Sequence, residues 1–129
     1  MAAFSLTGVE LKSNLNTPLV KKAEEAIDAG EAVDSSGYIV DPTNDNRHNI
    51  EGVAISGAAL NGSVVLARDG DKLTVTNTLT AHRTLVCKTS GQYDYEENLA
   101  SGETHIIMGY TEDANTIVVK PTNSGKEKA

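Results

Sequence analysis

From Glu31 onward the apolar residues of this chain come in short runs, and glycine, asparagine or aspartate stands between the runs. In "LTVT", Leu73 and Val75 share one face and Thr74 and Thr76 the other, the period-two pattern of a half-buried strand. The same reading predicts strands at Gly52–Ser56, Ser63–Ala67, Lys72–Thr76, Arg83–Lys88, Gln92–Tyr95, Thr104–Tyr110 and Thr116–Lys120. "EAV" and "YIV" flank Asp34-Ser35-Ser36-Gly37 as a hairpin-like pair, and Asp69-Gly70 is a strong short-hairpin signal. Before Glu31 the period changes. Thr17 reads as an N-cap, Pro18 as a first-turn residue and Gly30 as a stop, with Leu19, Val20, Ala23, Ala26 and Ile27 at helical spacing. That pattern predicts a helix over residues 18–29.

These elements predict a mainly β fold: a compact β-sandwich or a small β-barrel or β-tulip-like domain of about nine short strands, with one short leading helix. Residues 1–16 read as an N-terminal arm, 17–121 as the β domain and 122–129 as a flexible polar tail. In the arm, Phe4 alternates with Leu6 and Val9 with Leu11, and Leu15 follows. This is the pattern of an edge strand or of a segment that leaves the domain and docks on a partner.

Composition narrows the chemistry. The chain has 129 residues, enough for one domain, and is 39% hydrophobic. It has four Tyr, one Phe and no Trp, so Val, Ile, Leu and Ala must build the core. A formal net charge of −7 argues against a nucleic-acid face, which needs a basic patch. The lone Cys87 lies in the apolar run "TLVCK" and reads as a buried thiol. Neither a secretory leader pattern nor an apolar run of bilayer length is visible, so the expectation is synthesis in the cytoplasm without membrane insertion.

Candidate chemistry is sparse. His48, His82 and His105 stand far apart without metal-ligand spacing, and no nucleophile elbow or phosphate-binding glycine loop occurs. Asp41, Thr43 and Asp45 alternate as in a calcium loop. Asn46 then stands where that loop needs Gly, and Gly52 where it needs a bidentate carboxylate. "YDYEEN", Tyr93 to Asn98, reads as two half-buried strand tyrosines beside an acidic turn, or as a patch that meets a partner. No catalytic residue, cofactor, metal or small-molecule substrate is expected, and the chain is not expected to be an enzyme.

The order of its turn phrases carries more. Ala29-Gly30 with Val33, then "GVAISGAA" at Gly52 through Ala59, then Ser90-Gly91, then "LASG" at Leu99 through Gly102, resembles the succession in small head decoration, or cement, proteins of tailed bacteriophages. The resemblance covers roughly residues 26–121. It implies a capsid decoration protein on the outer surface of a phage head, a homotrimer that bridges major capsid proteins and stabilises the mature shell, without nucleic acid or membrane as partner. On that reading Phe4, Leu6, Val9, Leu11 and Leu15 are the candidate capsid-contact residues of an arm that the rest of the domain can fold without. The alternatives are another virion component, such as a tail or head fibre, or a ligand-binding β-sandwich module. The scarcity of aromatics counts against sugar binding.

Overall fold

The computed structural model describes residues 3–13, 17, 19–44 and 47–127, with side chains through Thr122. Among them the fold is mainly β, with ten strands in two antiparallel sheets. The strands are β1 (Glu10–Ser13), β2 (Leu19–Lys22), β3 (Ala32–Asp34), β4 (Ile50–Ala54), β5 (Ser63–Ala67), β6 (Lys72–Thr74), β7 (Thr84–Cys87), β8 (Tyr93–Tyr95), β9 (Thr104–Thr111) and β10 (Thr116–Glu127). The six-stranded sheet runs β1-β6-β10-β9-β7-β8 and the four-stranded sheet β2-β5-β4-β3. This is a sandwich-like pair of sheets; neither closes into a barrel.

Why two layers form follows from the faces. Ile106, Met108, Ile117, Val119, Leu73, Leu85, Cys87 and Tyr93 of the large sheet are buried in one cluster with Ala32, Val53 and Ala67 of the small sheet. Val53 lies opposite Ala67, and the next pair, Ala54 and Leu66, points the other way. Ala54 and Leu66 join Val33, Val64, Ala23 and Ile27 in a second cluster. The small sheet is therefore apolar on both faces: one packs on the large sheet, and the other is covered by its own crossing chain around residues 23–39.

That crossing chain corrects the predicted helix over 18–29. Leu19–Lys22 is a strand paired with β5, and Ala23 and Ile27 continue extended, bonded to the backbone at Asn61–Gly62 and Ala58. Pro18 lies outside the described residues. The helical spacing has another origin. Leu19, Ala23 and Ile27, each four residues apart, all touch the second cluster, whereas Val20 and Ala26 of the same stripe are exposed. A bent extended segment drops one anchor every four residues and so imitates a helix turn. At the other end, β10 runs to Glu127, with Thr122 opposite Ile107 and Glu127 opposite Thr104, through residues 122–127 that their polar composition reads as tail.

Residues 3–13 are not a free arm. Phe4 and Tyr93 exchange two backbone hydrogen bonds of 2.8 Å, which attaches the segment to β8 at one edge of the large sheet. Thr76 N–H then donates to Thr7 O at 2.8 Å, and Asn77 accepts from Thr7 N–H and donates to Ser5 O. The segment ends as β1 on β6, at the opposite edge. Phe4 lies one strand outside β8 and Glu10 one strand outside β6, six strand spacings or about 29 Å apart across a flat sheet. The six steps of chain between them reach about 20 Å, so the large sheet must curl to bring its two edges within reach of the strap. Leu6 is buried in the main cluster, with Phe4, Val9 and Leu11 packed against it. Gly30 makes room for the crossing, because a Cβ there would stand 2.9 Å from Leu6 Cβ and 3.0 Å from Val9 Cγ2.

Candidate functional site

The candidate capsid-contact residues are mostly spent inside the fold. Leu6 is core; Phe4, Val9 and Leu11 turn inward on the strap; and Leu15 lies outside the described residues. Phe4 also meets the Tyr95 ring, centroids 5.7 Å apart. The arm's alternation is therefore the signature of a strap docked on its own domain.

The "YDYEEN" stretch resolves in the same direction. Tyr93 is fully buried and donates its phenolic hydrogen to Gly30 O at 2.5 Å. Burial pushes that phenol well above its ordinary pKa. Tyr95 accepts a hydrogen bond from Thr80 N–H at 2.9 Å. Asp94, also buried, accepts from Tyr95 N–H and from Asn98 Nδ2. Glu96 pairs with His105 at 2.5 Å, and Glu97 with Arg83 at 2.9 Å. The acids hold the turn in place, so this stretch serves the fold.

His48 and Asp41 also serve local geometry. The His48 ring donates to Pro42 O at 3.0 Å, and Asp41 accepts from the Thr43 amide and hydroxyl. Asp45 and Asn46 of the loop compared with a calcium site are outside the described residues. Among those described, no group of three or more metal-ligating side chains converges. An open cleft of about 390 Å³ lies between Pro42–Thr43, Lys88–Thr89 and Gly102–Thr104, with the Lys88–Glu103 ion pair in its wall.

Cys87 is buried against the main cluster, and burial alone pushes its thiol up to about 12. The native thiol is therefore neutral at physiological pH and should resist a disulfide exchange reagent, reacting stoichiometrically only after denaturation. The same shift sets an alkaline limit. Above the ordinary thiol pKa the unfolded chain ionises Cys87 while the folded chain does not. Cys87 thereby lowers stability by about 1.4 kcal/mol per pH unit as pH climbs towards 12, and buried Tyr93 adds a fall of the same sign above the ordinary phenol value. Urea titrations at successive alkaline pH values read the combined slope, and Cys87→Ala should remove the part that begins at the ordinary thiol value.

Asp34 is the one described buried side chain with an oxygen lacking a partner. It is 1% exposed; Oδ1 accepts from Ser36 and Tyr38 N–H at 2.9 Å each, while Oδ2 has none. Asp34→Ala strands two amides of the β3 turn and should cost about 1–3 kcal/mol in urea unfolding. Asp34→Asn keeps the acceptor and should cost less.

What remains is surface. Among the described residues the two sheets have four edges, and two of these are covered within the chain. Phe4 pairs on β8, and Ile39–Val40 folds back on β3, with Val40 N–H on Ala32 O at 2.9 Å. The other two are β1 and β2, the strands joined by the 14–18 connection. Among the described residues the exposed large apolar side chains are Val20 on β2 (60%), Leu60 and Tyr110. Sequence reasoning assigned Val20 to a helix and missed this edge. Its signal was Lys21-Lys22 beside Val20, since lysine is characteristic of edge strands rather than of strands with neighbours on both sides.

Among the described residues no helix is long and apolar enough to cross a membrane. A scan against protein-family models finds no match, and a search of curated proteins finds no relative.

Proposed function

We propose that this protein is a capsid decoration protein of a tailed phage, which binds the outer surface of the head and bridges major capsid subunits as a homotrimer. The observation that carries this reading is the ordered set of turn phrases, whose resemblance to head decoration proteins is described above. The structure gives these phrases structural work: Gly30, Ser90, Gly91 and Gly102 all adopt positive φ, and Leu99 is buried. A further support is the economy of the molecule. It is a small two-sheet body cross-tied by its own N-terminus, which suits a protein that presents surfaces.

The physics of such a role is linkage. A ligand that prefers the closed, mature shell stabilises that state by mass action, without turnover. Three copies in one trimer engage several shell subunits together, so individually weak contacts gain from effective concentration. The acidic charge suits a surface held away from packaged DNA.

The test is cosedimentation of the purified chain with tail-less heads lacking decoration, followed by thermal disruption of the heads with and without it. Saturable binding in multiples of three and a raised disruption temperature are expected. Heads that leave the protein in the supernatant overturn the reading. Binding only to isolated tails moves it to a tail component.

A further inference from the structure

The β2 edge presents a defined set of backbone groups. Ala23 N–H donates to Gly62 O, and Ala23 O accepts from Asn61 N–H, both at 2.8 Å, so Ala23 faces the β5 side. Backbone direction alternates along a strand, so Leu19 and Lys21 also face β5, and Val20 and Lys22 face outward. Glu24 confirms the alternation, since its N–H points outward to Gly37 O at 3.0 Å. Gly37 thereby closes the far end of this edge. Val20 N–H, Val20 C=O and Lys22 N–H remain without a backbone partner among the described residues.

The side chains add polarity to this opening. Val20 shares the sheet face of Val65, Ala67 and Val53, the face that packs on the large sheet. At β2 that cover ends, and Val20 is left exposed. Lys21 and Lys22 follow it, the chain's sole adjacent pair of Lys or Arg residues in a net charge of −7. Their carboxylate partners are distant, Glu51 at 3.9 Å and Glu24 at 3.8 Å, and exposed enough to give way.

We infer that β2 is the docking edge for an extended, acidic segment of a partner, which adds a fifth strand to the small sheet beside Val20. Main-chain hydrogen bonds to Val20 and Lys22 would supply register, Val20 an apolar contact, and the lysine pair the charge preference. Naming the shell protein as the source of that segment rests on the function proposed above; the edge and its chemistry do not.

Two peptides test the edge on the full chain: capped octapeptides alternating Val with Glu and Val with Lys. With ¹⁵N-labelled protein, the Val/Glu peptide should shift the Val20 and Lys22 amides saturably, and the Val/Lys peptide should bind at least about ten-fold more weakly. Val20→Pro removes an outward N–H that no backbone bond among the described residues uses. It should keep the melting temperature and lose the binding. Should that variant unfold, Lys21→Glu with Lys22→Glu decides instead, because it should reverse the peptide preference. Absent or unsaturable shifts at β2, equal binding of both peptides, or unchanged preference after charge reversal overturn the inference. So does a concentration-dependent shift of β2 without peptide, which would give the edge to a second copy. If wild type fails to bind heads while the Val/Glu peptide binds, the decoration function falls and the edge stands. If wild-type protein and Val20→Pro bind heads equally well, the shell protein does not use this edge.

Discussion

Leu6→Ala is expected to lower the free energy of unfolding by about 2–5 kcal/mol, the range for removing a buried leucine. At this chain length that is a drop of roughly 10–20 °C in melting temperature. A free arm predicts no change at all, so calorimetry of this one variant separates the two pictures. The structural ground is that Leu6 is 5% exposed within the main cluster, on a segment tied to β8 by Phe4 and to β6 by β1. Removal of residues 1–13 should act in the same direction, against the expectation that the domain folds without them. The sign needs an argument, because deletion also spares the cost of ordering the strap, about 1–2 kcal/mol per backbone residue. That saving roughly offsets the strap's own contacts. It does not offset the second loss, the exposure of core side chains that Leu6 now covers. The truncated chain should therefore bind a hydrophobic dye and melt broadly, while full-length protein melts in one sharp transition. A truncated chain that melts as the full-length one does would return the arm to the role of a dispensable tether.

The central strands were readable because their signals are local. Alternation in "LTVT" and turn residues such as Asp69-Gly70 depend on neighbours in sequence, and β5, β6, β7, β8 and β9 lie where those signals place them. The first third was misread because its order is imposed from a distance. Leu19, Ala23 and Ile27 bury themselves against Val64, Leu66 and Ala54, and only that sheet explains their spacing. Likewise, alternation in the arm reports an apolar face without saying whose core receives it. Phe4 meets Tyr93, nearly ninety residues away, and no local rule supplies that pairing. The candidate site fared accordingly: four of its five residues proved to be core or strap, and the open edge at Val20 was hidden under a helical pattern. An edge is a property of topology, visible only once it is known which strands have neighbours on one side alone.

The centre of the large sheet should be least tolerant of substitution at a residue with no side chain. Gly109 on β9 lies opposite Leu85 of β7 and Val119 of β10, beside irregularities in both ladders. A Cβ built there would stand 2.0 Å from Val118 O and 3.1 Å from Val118 C. Both are backbone atoms of a strand pinned on its other side by β6, so neither can swing away as a side-chain tip would. Relief requires parting β9 from β10, the pair on which the sheet turns. Gly109→Ala should therefore cost more than about 3 kcal/mol, the class of overpacking joined to lost ladder bonds. Gly102→Ala is the control. Its φ of +87° disfavours a side chain, yet nothing lies within 4 Å of the added carbon, so strain alone should cost about 1–2 kcal/mol. Urea unfolding of the two variants side by side distinguishes close approach from backbone conformation as the reason for glycine. If Gly109→Ala proved no worse than Gly102→Ala, β9 and β10 would have to be further apart at this point than the structure places them, and the packing of the main cluster on both sides would need revision with them.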